Sequence, residues 1–190
     1  MLHHTGTKDQ ALVTLTWPTR DGEDPQTDLQ LTLLQRVTQL ALTDDLREKL
    51  GKAYSPGAGS STSRTYRGYG TFSLNASVDV GEVNATRTAM LGTIADLRAA
   101  PVSDDILLRA KAPMLEAYDN ALKSNSGWLT LVDRAQTEPD RIERFVRGKE
   151  RLQAITAKDL QALTKQYLTP GGAVEVTVLP EGIDLTPPTR

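Results

Sequence analysis

The sequence predicts an α+β fold, a two-layer sandwich with a mostly antiparallel sheet and helices packed on one face. Two observations carry this. The strand-like segments have one apolar and one polar face, as expected for a sheet covered on one side. The helix-like segments carry a single apolar stripe. The predicted order is β-α-β-β-α-α-α-α-β, in one domain over residues 1–182, with 183–190 as a tail or linker stub.

The first strand is Ala11 to Trp17, where Ala11, Val13, Leu15 and Trp17 make an apolar face opposite Thr14 and Thr16, and Pro18 ends it. Asp24-Pro25 reads as an N-cap followed by proline at the first helical position. Leu29, Leu33, Val37, Leu40 and Ala41 recur at helical spacing, and this helix is expected to reach Leu50, with Gly51 as its stop. A run of small residues, Gly57 to Ser63, resembles a linker but reads as a strand because a cleaner one follows it. From Gly70 to Val80 the alternation is unbroken, with Phe72, Leu74, Ala76, Val78 and Val80 on one face. The two runs form a hairpin with Arg64 to Gly68 at its tip.

Helices follow. Val83, Arg87, Met90, Ile94 and Leu97 mark one that Pro101 closes. Ser103 with Asp104-Asp105 opens the next, lined by Leu107, Met114, Tyr118 and Leu122, and Pro113 should kink or break it. Asn125-Ser126-Gly127 reads as a stop, Trp128 to Thr137 as a short helix and Asp140 to Gly148 as another. Thr156-Ala157-Lys158-Asp159 is a capping-box variant ahead of Leu160, Leu163 and Tyr167. Ala173 to Leu179 is the last strand, with Val174, Val176 and Val178 on one face and Pro180 at its end.

Composition narrows the chemistry. In 190 residues there are 24 acidic and 22 basic side chains, two His and no Cys. The formal charge of −2 gives no pull toward nucleic acid or anionic lipid. No apolar run approaches the roughly 18 residues of a membrane span, and Met1 to Gly6 has no apolar core of a signal peptide. Without Cys there is no disulfide, thiolate nucleophile or zinc knuckle. His3 and His4 are adjacent and make a poor chelate, so a self-contained zinc hydrolase is not expected. Phosphate-loop, dinucleotide-binding and nucleophile-elbow motifs are absent. Asp104-Asp105 follows an N-cap and reads as helix-start chemistry. The tip Arg64-Thr65-Tyr66-Arg67-Gly68-Tyr69 interleaves cations and aromatics, but it is short and reads as a polar hairpin end able to touch a neighbouring domain.

The segment Leu46-Arg47-Glu48-Lys49-Leu50-Gly51-Lys52-Ala53-Tyr54-Ser55 stands apart. It places Arg47 on the last helical turn and Tyr54 just beyond the glycine stop. A guanidinium and a phenol thus reach the same end of the sheet, and both are donors suited to a substrate carbonyl or oxyanion. On spacing alone the plainer reading stands ahead: Arg47 offsets the negative helix end and Tyr54 packs at a strand edge.

This segment resembles the R-E-x-x-G-x-x-Y-S pattern of C-terminal-type domains in pitrilysin/insulinase-family zinc peptidases. The likeness extends through Tyr54-Ser55-Pro56, Ala100-Pro101-Val102-Ser103-Asp104 and Asn125-Ser126-Gly127-Trp128-Leu129. It implies a non-zinc, substrate-clamping domain of a zinc metalloendopeptidase. Arg47 and Tyr54 would contact the scissile carbonyl, and peptide is the implied substrate. Zinc would sit in a homologous partner domain, on the same polypeptide or a separate subunit, because the inverted H-x-x-E-H motif is missing from this chain. The chain alone should then hold no cofactor and be inactive. The alternative within the same resemblance is a catalytically inactive structural or assembly domain. The resemblance leans toward a bacterial, periplasmic setting, while the charge and the lack of a long apolar run lead to no expected nucleic-acid or membrane partner.

Overall fold

The computed structural model describes residues 1–6, 9–50 and 56–184, the side chains of 47–50 excepted. It contains one five-stranded sheet in the order β1-β5-β2-β4-β3 together with six helices. The strands are β1 (Leu2–His4), β2 (Gln10–Thr19), β3 (Gly57–Thr62), β4 (Gly70–Asp79) and β5 (Val174–Pro180). The helices are α1 (Pro25–Leu50), α2 (Val83–Ala99), α3 (Asp104–Ala121), α4 (Asn125–Val132), α5 (Arg141–Ala154) and α6 (Ala157–Tyr167). The expected two-layer α+β arrangement is the observed one, with five helices between β4 and β5 where the predicted order has four.

The alternating strands set the core. β2 and β4 pair antiparallel so that Trp17 meets Phe72, Leu15 meets Leu74 and Val13 meets Ala76, each no more than 1% exposed. α1, α2 and α6 pack on the sheet, while α3 and α5 pack on α1. Every pairing is antiparallel except β1 with β5.

Local capping holds as the sequence predicts. Asp24 accepts from the Thr27 amide at 2.9 Å and from the Gln26 amide, with Pro25 at the first helical position. The Thr27 hydroxyl is the main reason the Asp24 carboxyl titrates below its ordinary range. Ser103 caps α3, and Thr156 with Asp159 completes a reciprocal capping box on α6.

Three local expectations change, and one open alternative is decided. β1 has no counterpart in the sequence reading, because its three residues are too few to show a period. Asn125-Ser126-Gly127 starts α4 instead of ending a helix: Ser124 is the cap and accepts from the Gly127 amide at 3.2 Å. α3 continues through Pro113. Val174, Val176 and Val178 lie level with Thr16, Thr14 and Leu12, which puts them on the uncovered face of the sheet. β5 reaches the core through Leu179, which is fully buried.

Candidate functional site

The predicted site lies where α1 ends and β3 begins, along the edge of the sheet. By its backbone, Arg47 lies in the last turn of α1, as expected. Its side chain and all of Tyr54 fall outside the described residues, so their contact is a proposal. What surrounds them is described. Leu46, one residue before Arg47, is 1% exposed and anchors this end of α1 in the core.

The start of β3 is pinned to α1 by Gln39. Its Oε1 accepts from the Ala58 amide at 2.8 Å, and its Nε2 donates to the Pro56 carbonyl at 2.7 Å. Nε2 also reaches the Thr43 hydroxyl at 3.2 Å, which itself donates to the Gln39 carbonyl at 2.7 Å. Gln39, Thr43 and Arg47 recur every fourth residue, so the contact runs down one side of α1 toward the predicted donor. Sequence reasoning missed Gln39. Its only signal is its place two helical steps before Arg47, and a glutamine on a helix is ordinarily solvated.

At the other end of β3 the hairpin tip is tied to the body of the domain. The Asp21 carboxylate accepts from the Gly68 amide at 2.5 Å and from the Glu23 amide at 3.1 Å, and these bonds lower its pKa. Gly68 has φ 70°, where a side chain would be strained. Arg64 pairs with Asp140 at 2.8 Å, and Arg67 pairs with Glu23 at 3.2 Å. The tip cations are thus paired within the domain, while Tyr66 and Tyr69 stay exposed. Asp140 is held down at about 2, first by its bond to Arg144 and then by Arg64.

The two histidines are occupied in ordinary hydrogen bonds. His3 Nε2 lies 3.2 Å from both the Ile183 carbonyl and Asp184. His4 Nε2 lies 2.9 Å from the Gln10 carbonyl, and its Nδ1 accepts from the Gly6 amide. Among the described residues, no group of three His, Asp or Glu side chains could hold a metal, so these residues do not fit a zinc site. No described helix is long and apolar enough to cross a membrane.

Comparison with known proteins follows the same line. The family profile of the peptidase M16 inactive domain matches residues 2–114. The fold is shared with the periplasmic protease PqqL from Escherichia coli, at a TM-score of 0.73 and 18% identity over 95% of this chain and 20% of that one. It is shared with a peptidase M16 inactive domain from Pseudomonas fluorescens, at 0.76 and 18% identity over 97% of this chain and 44% of that one. A protease from Helicobacter pylori matches at 0.73 and 14% identity, over 94% and 43%. The chain therefore spans less than half the length of each of these three. No curated protein matches it by sequence.

Proposed function

This chain belongs to the peptidase M16 inactive-domain family, and from that premise we propose that it is the substrate-clamping half of a zinc metalloendopeptidase. In this reading zinc belongs to a homologous partner domain, and no residue of this chain is assigned to it. Arg47 and Tyr54 donate hydrogen bonds to the scissile carbonyl oxygen and to the oxyanion that forms from it. The carrying observation is the Gln39 anchor, which ties the middle of α1, two helical turns before Arg47, to the start of β3 at Pro56 and Ala58.

The chemistry asks little of this chain beyond position. A guanidinium carries fixed donors and keeps its charge at any working pH, and a phenol offers one rotatable O–H. Donors held in place before the reaction need not reorganise as charge develops. The fold contributes the platform, and closure against the partner brings the peptide to it.

The test compares the complete protease with a version carrying Arg47→Ala and Tyr54→Phe, and with one lacking this domain. We expect both to lose peptide cleavage with zinc content unchanged. If the double substitution keeps normal turnover while deletion abolishes it, the domain is an assembly element and the clamping role fails.

A further inference from the structure

A cleft of about 770 Å³ opens between the hairpin tip, the end of α3, α4 and α5. It lies beyond the end of β3, whereas Tyr54 precedes the start of that strand. Four arginines line it: Arg64 from the tip, Arg134 from the loop between α4 and α5, and Arg141 and Arg144 from α5. Two carboxylates, Asp28 and Glu138, line it with them, while Asp133 and Asp140 pair from outside the lining. The cleft surface is therefore cationic.

The four guanidiniums are not equally engaged. Arg141 donates to the Leu131 and Thr130 carbonyls at 3.1 and 2.6 Å and to Glu138 at 3.1 Å, which ties down the end of α4. Arg144 donates to Asp140 and to the Glu23 carbonyl, but its buried Nη1 has no hydrogen-bond acceptor and lies 3.9 Å from Asp28. Among the described residues Arg64 bonds only through Nη2, which shares the Asp140 carboxylate at 2.8 Å. Arg134 makes no side-chain hydrogen bond there; Asp133 and Glu138 stand 3.7 and 4.0 Å from it. Arg134 is also the one non-glycine at positive φ among the described residues, at 60°. A side chain is strained in that conformation and glycine is not. The turn itself uses the Arg134 carbonyl, which accepts from the Thr137 and Glu138 amides at 2.9 and 2.8 Å, and any residue supplies a carbonyl. The strain is thus carried for a guanidinium that the domain does not bond.

We propose that this cleft binds a small phosphate-bearing molecule whose phosphoryl oxygens are held by the unbonded nitrogens of Arg64 and Arg134. The two arginines come from different segments, and the first turn of α4 lines the cleft as well, at Ser126 and Gly127. Donors from three sources suit the three acceptor oxygens of a phosphate monoester better than the pair on a carboxylate. Arg144 adds positive charge from its buried position without touching the ligand. A phosphate fills a small part of this volume, and Leu131 and Phe145 offer apolar surface to the rest of the molecule.

Calorimetric titration of the 190-residue chain at fixed ionic strength tests this with phenyl phosphate, inorganic phosphate and benzoate. Phenyl phosphate should saturate one site and bind at least about fivefold tighter than either of the other two probes. Arg134→Gly should weaken it at least about tenfold, as for the loss of one charged hydrogen bond, while cooperative unfolding is retained. Arg109→Ala, an exposed change on α3 outside the cleft, should leave the affinity unchanged. Absence of saturable binding, equal affinity for the three probes, or undiminished binding in Arg134→Gly would each overturn the proposal. So would an equal loss in Arg109→Ala, which marks attraction to net charge and not a site.

Discussion

The side-chain amide of Gln39 pairs with Ala58 as a neighbouring strand would. Its oxygen accepts from the Ala58 amide at 2.8 Å, and its nitrogen donates to the Pro56 carbonyl at 2.7 Å. A primary amide has the same acceptor and donor as a peptide unit. One helical residue thereby satisfies two backbone groups at the entry to an edge strand.

Gln39→Leu removes both bonds and leaves two partly buried backbone groups unpaired. The expected cost is about 1–3 kcal/mol, read as a lower midpoint in urea unfolding. An unchanged midpoint would show that water replaces the amide without penalty and that the anchor is incidental.

Tyr54→Phe in the complete protease should lower kcat by about 10²–10³, the usual effect of deleting one oxyanion donor. Bound zinc, measured by elemental analysis, should not change. Normal turnover in this variant would remove Tyr54 from the reaction.

Acid should loosen the junction of α5 with the hairpin tip. Asp140 has its carboxyl held at about 2 against an ordinary 3.8 by Arg144 and Arg64. For a depressed carboxyl the added stability is present above the unfolded pKa and lost as pH falls through the folded one. The loss is therefore expected between about pH 4 and pH 2. Asp140→Asn should cost about 0.5–1 kcal/mol at pH 7, a value reduced for solvent screening at this half-exposed site, and should flatten that stretch of the profile. Unfolding midpoints that keep the same pH slope in the variant would count against the assignment.

Gly127 is fixed by space. A Cβ there would lie 1.5 Å from the Ala121 carbonyl oxygen, so α4 would have to shift away from the end of α3. Gly127→Ala is expected to cost at least about 2 kcal/mol, checked by thermal unfolding. A variant as stable as the parent would mean that α4 can re-seat freely.

Much of the fold was legible because its signals are local. Phe72, Leu74, Ala76 and Val78 announce a half-covered strand by alternation, and all four are buried. Asp24, Ser103 and Thr156 announce helix starts because unpaired amides in a first turn need an acceptor nearby. The misreadings have local causes too. Asn125-Ser126-Gly127 carries the residues of a stop, but Gly127 is needed for close approach to Ala121, not for a turn. Pro113 left a kink or a break open, and the structure shows that α3 does not break there. For the site, the sequence singled out Arg47 and Tyr54 by motif but gave no sign of Gln39.

The amino-acid sequence by itself determined which face of each element is apolar, where most helices begin and that this chain brings no thiol or histidine cluster to chemistry. Those properties are set within a few neighbouring residues. Only the tertiary structure decided that β1 joins β5 in parallel, that Val174, Val176 and Val178 face outward and that Gln39 closes the entry to β3. Each depends on register between segments distant in the chain, and register is chosen by the packing of the whole sheet against its helices.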